Sequence, residues 1–310
     1  MTDTSTTTST GLRIGTAPDS WGVWFADDPR QTPWQRFLDE VQAAGYTWIE
    51  LGPYGYLPTD PHELEDELGS RGLKLSAGTV FTGFHKGEDQ WQRAWDQALQ
   101  VAGLASKLGA EHLVVIPDLW RSDATAQVLE SRTLTDEQWG RLAAGHDRLG
   151  KALLEEFGMQ QQFHSHADSH IGTYREVIRF LDETDPRFTN LCLDTGHFAY
   201  YGGDNLRLIR ERPDRVGYLH LKQVDPELLF EVLKNDVPFG EAVPAGIMVE
   251  PPRGIPDFAP IIDAVAAIDP QIFAIVEQDM YPVESFDTPL PVATRTREHI
   301  FSCTAHARIS

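Results

Sequence analysis

Basic residues are scarce in this chain: 26 Lys and Arg stand against 47 Asp and Glu, a formal charge of −21 over 310 residues. Such a field repels nucleic acid and anionic membrane surfaces and disfavours polyanionic substrates, so neither nucleic acid nor membrane is an expected partner. Cysteine is almost missing. Cys192 and Cys303 have no neighbouring thiol, which excludes a disulfide framework and a cysteine-based metal site, and a reduced cytoplasmic setting is expected. No apolar run approaches the roughly 18 residues that span a bilayer. Residues 1–10 are Ser/Thr-rich, without a basic start or an apolar centre; they are read as a disordered tail rather than a signal peptide. The composition does supply a sizeable core, with 41% hydrophobic residues.

Eight strand-like runs are visible, at about 12–17, 46–52, 72–79, 111–116, 159–165, 190–194, 215–222 and 271–278. Amphipathic stretches of helical period separate them. In the clearest, Thr32-Pro33 predicts a cap followed by proline at the first helical position, and Trp34, Phe37, Leu38 and Val41 follow the i, i+3, i+4, i+7 spacing up to Gly45. Gly72, Gly109 and Gly158 repeat the device of a glycine ending a helix just before a strand. Eight β/α repeats without a linker predict one α/β domain, a (β/α)8 TIM barrel over 11–283. The extension 284–310, with a short helix near 293–303, is expected to pack on the barrel or on a neighbouring subunit, the latter making a homo-oligomer. The stretch 117–133, carrying Asp118, Trp120 and Arg121, reads as a rim loop or lid, and the Pro/Gly-rich 236–258 reads as a cover.

Four runs end in a side chain that binds metals: His164, Asp194, His220 and Glu277. Strand carboxyl ends converge on one face of a parallel barrel, where active sites are built. Two imidazoles and two carboxylates suit a divalent first-row ion. Each position alone has a bland account: Asp194 as a helix cap, His220 as a satisfied core histidine, Glu277 as a buried carboxylate with strong donors. Jointly they favour metal. His164 and His166 share one strand face, so either ring is the candidate ligand and the other an acid, base or donor. At the end of the first strand, Asp19 is expected to hold substrate hydroxyls and Trp21 to stack on a sugar-like ring; Glu50, His85 and Lys222 are further candidates for substrate contact.

At these residues the chain resembles the xylose-isomerase-like sugar isomerase/epimerase superfamily. Asp194-Thr-Gly-His197, His220-Leu-Lys222 and Glu277 carry the likeness, which spans about residues 11–280. The opening Ile14-Gly-Thr-Ala-Pro-Asp-Ser-Trp-Gly-Val-Trp24 and the stretch from Trp48 to Asp60 look like its inosose (2-keto-myo-inositol) dehydratase group. The resemblance implies a barrel holding one divalent metal, Mn or Co foremost, with Zn, Fe or Mg as alternatives. His164 stands where the superfamily has its first glutamate, and imidazole weakens a symmetric two-carboxylate isomerase scheme. A hydro-lyase of inositol catabolism is therefore expected, its substrate a small polyol such as a keto-inositol. Glu277, or Glu50, would take the proton next to the carbonyl, and His166 or His197 would protonate the departing hydroxyl. A ketose isomerase or epimerase, a nuclease (disfavoured by the charge) and a non-catalytic sugar-binding barrel are the alternatives.

Overall fold

The structure, a computed structural model, describes residues 11–303 and 308–309. The tail expected at 1–10 lies outside the described residues. Eight parallel strands close on themselves: β1 (Gly11–Thr16), β2 (Trp48–Glu50), β3 (Lys74–Thr82), β4 (His112–Pro117), β5 (Gln160–His164), β6 (Thr189–Asp194), β7 (Val216–Leu221) and β8 (Phe273–Val276). Closure comes from β1, which pairs with both β2 and β8. The expected barrel is therefore the observed one, and each strand-like run holds a strand. A short ninth strand, β9 (Arg308–Ile309), pairs parallel with the start of β1, at Gly11 and Leu12.

Helices α1 (Trp34–Ala44), α2 (Pro61–Ser70), α3 (Asp89–Ala105), α4 (Asp136–Phe157), α5 (Tyr174–Glu183), α6 (Thr195–Tyr200), α7 (Asn205–Glu211), α8 (Pro226–Lys234), α9 (Phe239–Ala242), α10 (Phe258–Ile268) and α11 (Pro289–Ser302) fill the intervals. Their caps follow from sequence. Thr135 with Gln138 and Thr173 with Glu176 form reciprocal capping boxes. Gly45 ends α1 at φ 86°, a left-handed conformation costly for any side chain with a Cβ. The start of α1 differs from expectation: Pro33 itself is the cap residue, one position later than expected, and the Thr32 hydroxyl makes no hydrogen bond, while the Thr32 carbonyl accepts from the Tyr56 hydroxyl at 2.8 Å. Helix α11 packs on α1, and the Tyr46 hydroxyl donates to the Ala293 carbonyl at 3.2 Å.

Two apolar layers result from strand alternation. Leu191 and Leu193 face the helices in the main core, whereas Cys192 points into the barrel with Ala77, Val114, Tyr218, Phe273 and Ile275. Asp194 continues the inward series at the carboxyl end of β6, and the register sets it directly beside His220 on β7. That alternation and register position the site.

Candidate metal centre and acid–base site

The barrel mouth gathers His164, Asp194, His220 and Glu277, each offering one donor atom within 4.8 Å of the others, and all four are buried. His164 Nε2 lies 3.3 Å from Asp194 Oδ2. His220 Nδ1 lies 2.9 Å from Glu277 Oε2 and 3.7 Å from Asp194 Oδ2. On the far side of the ring, His220 Nε2 donates to Glu50 Oε1 at 2.8 Å, a carboxylate being an acceptor only. On the other side, Nδ1 faces two carboxylates, which raise its affinity for a cation, whether a proton or a metal ion. A divalent ion fits: the donor set is two nitrogens and two oxygens, and the carboxylate behind the histidine is the usual support of a metal-ligating imidazole. Between the two adjacent histidines, His164 lies in the quartet and His166 does not.

A buried ammonium adjoins the quartet. Lys222 Nζ lies 3.0 Å from Glu277 Oε2, 3.3 Å from Asp194 Oδ2, 2.9 Å from Asp279 Oδ2 and 3.8 Å from Asp19 Oδ2. Burial opposes its charge, but Asp194, Asp279 and Glu277 outweigh burial and push its pKa well above the ordinary lysine value. Burial likewise opposes ionisation of Asp194, yet the Lys222 charge, with the His164 hydrogen bond, holds that carboxyl far below its usual range. Asp19 and Glu277 separate in the opposite sense. Burial and the Glu277 charge raise Asp19 well above the ordinary carboxylate value. Glu277, although buried, is held low by His220 and Lys222.

His166 and His197 lie with ring centroids 3.9 Å apart, tilted by 36°, and the ring of Phe239 is 5.1 Å from each. Phe239 belongs to α9, so this part of the 236–258 segment reaches the two rings. His166 Nδ1 donates to the Ala167 carbonyl at 2.7 Å, which leaves Nε2 as its basic atom. Burial and the nearby His164 ring push His166 down to about 4. Burial and the His166 ring hold His197 well below the ordinary imidazole range as well. Burial thus opposes a positive charge on either ring, and the charged neighbour is Lys222, whose Nζ lies 3.2 Å from His197 Nε2.

Two expected substrate contacts are not brought together with these residues. Trp21 is fully buried under α1, its Nε1 donating to Glu40 Oε2 at 2.8 Å and its ring edge-on to Phe37. His85 lies in a separate cluster with Glu130 and His170. Conversely, Asp279 and Trp24 were missed: Trp24 Nε1 donates to Asp279 Oδ1 at 3.0 Å. The signal for Asp279 was its spacing of two from Glu277, which puts both on one side of an extended chain. The 117–133 loop is pinned by Arg121, which binds both oxygens of Asp168 (3.0 and 2.7 Å) in the loop after β5. Asp168 Oδ2 also accepts from the Phe239 backbone N–H at 2.8 Å.

A closed parallel barrel with a His/Asp/Glu quartet at its carboxyl mouth defines the class. Residues 38–300 match the family described as Xylose isomerase-like TIM barrel, and the chain belongs to that family. Among individual relatives, the inosose dehydratase of Geobacillus thermodenitrificans is 28% identical over 296 residues, covering 93% of this chain and 96% of that one. The solved IolI protein with a bound zinc atom superposes with a TM-score of 0.69 at 16% identity, covering 94% of this chain and 98% of that chain. A probable 3-DHS dehydratase, AsbF of Bacillus anthracis, superposes at 0.64 with 16% identity, covering 93% and 99%. The two superpositions speak for the fold.

Proposed function

We propose that this chain is a divalent-metal-dependent hydro-lyase that eliminates water from a keto-inositol. The observation that carries the reading is that the mouth holds a base and an acid of different chemical kind. Asp19 is a carboxylate whose environment raises its proton affinity, and Lys222 is a buried ammonium among carboxylates. Both affinities are shifted upward, so it is chemical kind, a carboxyl against an ammonium, that separates the two roles. Symmetric proton exchange between like carboxylates, as in epimerisation, has no such requirement. The name of the Geobacillus relative points the same way.

When bound by His164, Asp194, His220 and Glu277, the metal supplies Lewis-acid stabilisation of negative charge on the substrate oxygens. The residues do the rest. Asp19, 14% exposed at the mouth, removes the proton from the carbon next to the carbonyl. The electron pair forms a carbon–carbon double bond as the β carbon–oxygen bond breaks. Lys222 donates the proton with which the hydroxyl leaves as water, while Asp279 orients the ammonium and His166 Nε2 accepts a substrate hydroxyl. Phe239 and Trp24 exclude bulk water and present apolar faces to the ring. The sequence reading gave Glu277 two roles; here it keeps the metal, and the base is Asp19.

Mass spectrometry of reactions with 2-keto-inositols and common ketoses tests the proposal. Loss of one water from a keto-inositol is expected. Product of unchanged mass means an isomerase, and tight binding without conversion means a binding module; either result overturns the reading. Asp19→Asn is expected to lower kcat by about 10²–10⁴-fold with metal content unchanged. Glu277→Gln is expected to lose metal and turnover together.

A further inference from the structure

We propose that His85, Glu130 and His170 form a second divalent-metal site, of the zinc and cobalt class, on the β3–β5 side of the barrel mouth. His85 lies in the turn Phe84–Lys86 after β3, Glu130 in the long loop after β4, and His170 in the loop after β5. Each offers one donor atom within 4.8 Å of the other two. His85 Nε2 is 3.0 Å from both Glu130 oxygens, and His170 Nε2 is 3.4 Å from Glu130 Oε1.

The tautomer of His170 carries the argument. Its Nδ1 lies 2.8 Å from the Arg132 carbonyl, which only accepts, so Nδ1 bears the proton. In the neutral ring, Nε2 is then a bare lone pair, buried, aimed at a carboxylate oxygen and without a hydrogen-bond partner. Such a contact needs a cation between its two atoms. A backbone carbonyl behind the ring is also the outer support that fixes metal-ligating histidines. The His85 ring is wholly buried; without a metal its Nε2–H donates to Glu130, and metal binding at Nε2 would move that proton to Nδ1, which makes no hydrogen bond. A proton shared by His85 and Glu130 is the rival cation. Burial disfavours it, since a charged ring is costly in a wholly enclosed position. Lys86 Nζ touches Glu130 at 3.3 Å but lies closer to Asp118, at 2.7 Å. Two nitrogens and one oxygen, with the Glu130 side chain 22% exposed, leave positions open for water. A metal here would tie the 117–133 loop to both of its neighbours.

The full-length chain, stripped with chelator, is titrated with Zn²⁺ and the bound metal counted by elemental analysis after desalting. Two ions per chain are expected. Glu130→Gln, at a partly exposed position, is expected to retain one and to bind the other more than about 100-fold more weakly, a missing ligand costing more than a missing outer partner. Asp194→Asn, which disrupts the first site, is expected to retain one, and His170→Ala in that background none. Co²⁺ bound to Asp194→Asn is expected to give visible absorption bands. Saturation of the wild type at one ion that Asp194→Asn abolishes overturns the proposal, as does a Glu130→Gln chain that still holds two. The count is independent of turnover, so failure of the second site and failure of the dehydratase reading are separate results.

Discussion

Replacing Glu50 by glutamine isolates the outer support of the metal quartet. The bond from His220 Nε2 to Glu50 Oε1 is 2.8 Å long, with both side chains 3% exposed. A buried bond to a charged acceptor contributes about 1.5–3 kcal/mol. Loss of such a partner behind a metal-ligating histidine weakens metal binding by about 10–100-fold, which is about 1.4–2.8 kcal/mol. The two figures agree. Glutamine keeps an acceptor oxygen but removes the charge that makes Nδ1 a strong donor. That charge also acts on the proton: burial opposes protonation of His220, but Glu277 and Glu50 help to hold its pKa well above the ordinary imidazole value. Proton and metal compete for Nδ1. Wild-type affinity should therefore climb as pH rises, levelling off only above the ordinary imidazole range. In Glu50→Gln the plateau should begin at lower pH and lie about 10–100-fold lower. Competition titrations of Mn²⁺ or Zn²⁺ against a chromophoric chelator from about pH 6 to 9 measure both features, on either side of the usual imidazole pKa. A folded variant with wild-type affinity and pH profile would refute the reasoning.

Arg121→Met should destabilise the chain by about 3–5 kcal/mol in denaturant titrations, because it strands the buried Asp168 carboxylate. His146, edge-on to Phe84, Phe163 and Phe180, is lowered by burial to about 3. Unfolded, it takes a proton at about 6.5, so its contribution is intact above that pH and is lost as the pH falls toward the folded value. The slope is about 1.4 kcal/mol per pH unit, and His146→Leu should remove it from the acid limb of a stability–pH curve. Chelation should lower the Tm by about 4 °C, restored by a divalent ion, since a ligand at a hundred times its Kd adds about 2.7 kcal/mol.

The barrel was legible because the β/α alternation repeats along the whole chain, with Gly45, Gly109 and Gly158 each closing a helix in the left-handed region. The quartet was legible for a related reason: a polar residue at the carboxyl end of an apolar strand has only one place to go in a closed parallel sheet. Residues beyond the strand ends were less readable. Trp21 and Trp24 lie three apart in one motif, but the turn Pro18–Trp21 directs the first under α1 and leaves the second beside Asp279. Glu50 was legible as a resident of the mouth, while its place behind His220 depends on a pairing between residues 170 apart in sequence. A charge on His166 or His197 is opposed by burial beside Phe239, and no local pattern encodes that.

Asp168 accepts from Arg121 of one loop and from the Phe239 backbone of another while standing in a third, itself at φ 56°. Grafting any one of these segments from a relative would leave the other two without their shared anchor. Engineering of substrate preference in this scaffold should accordingly treat the three as a single exchangeable cassette, with the aspartate retained as its fastening.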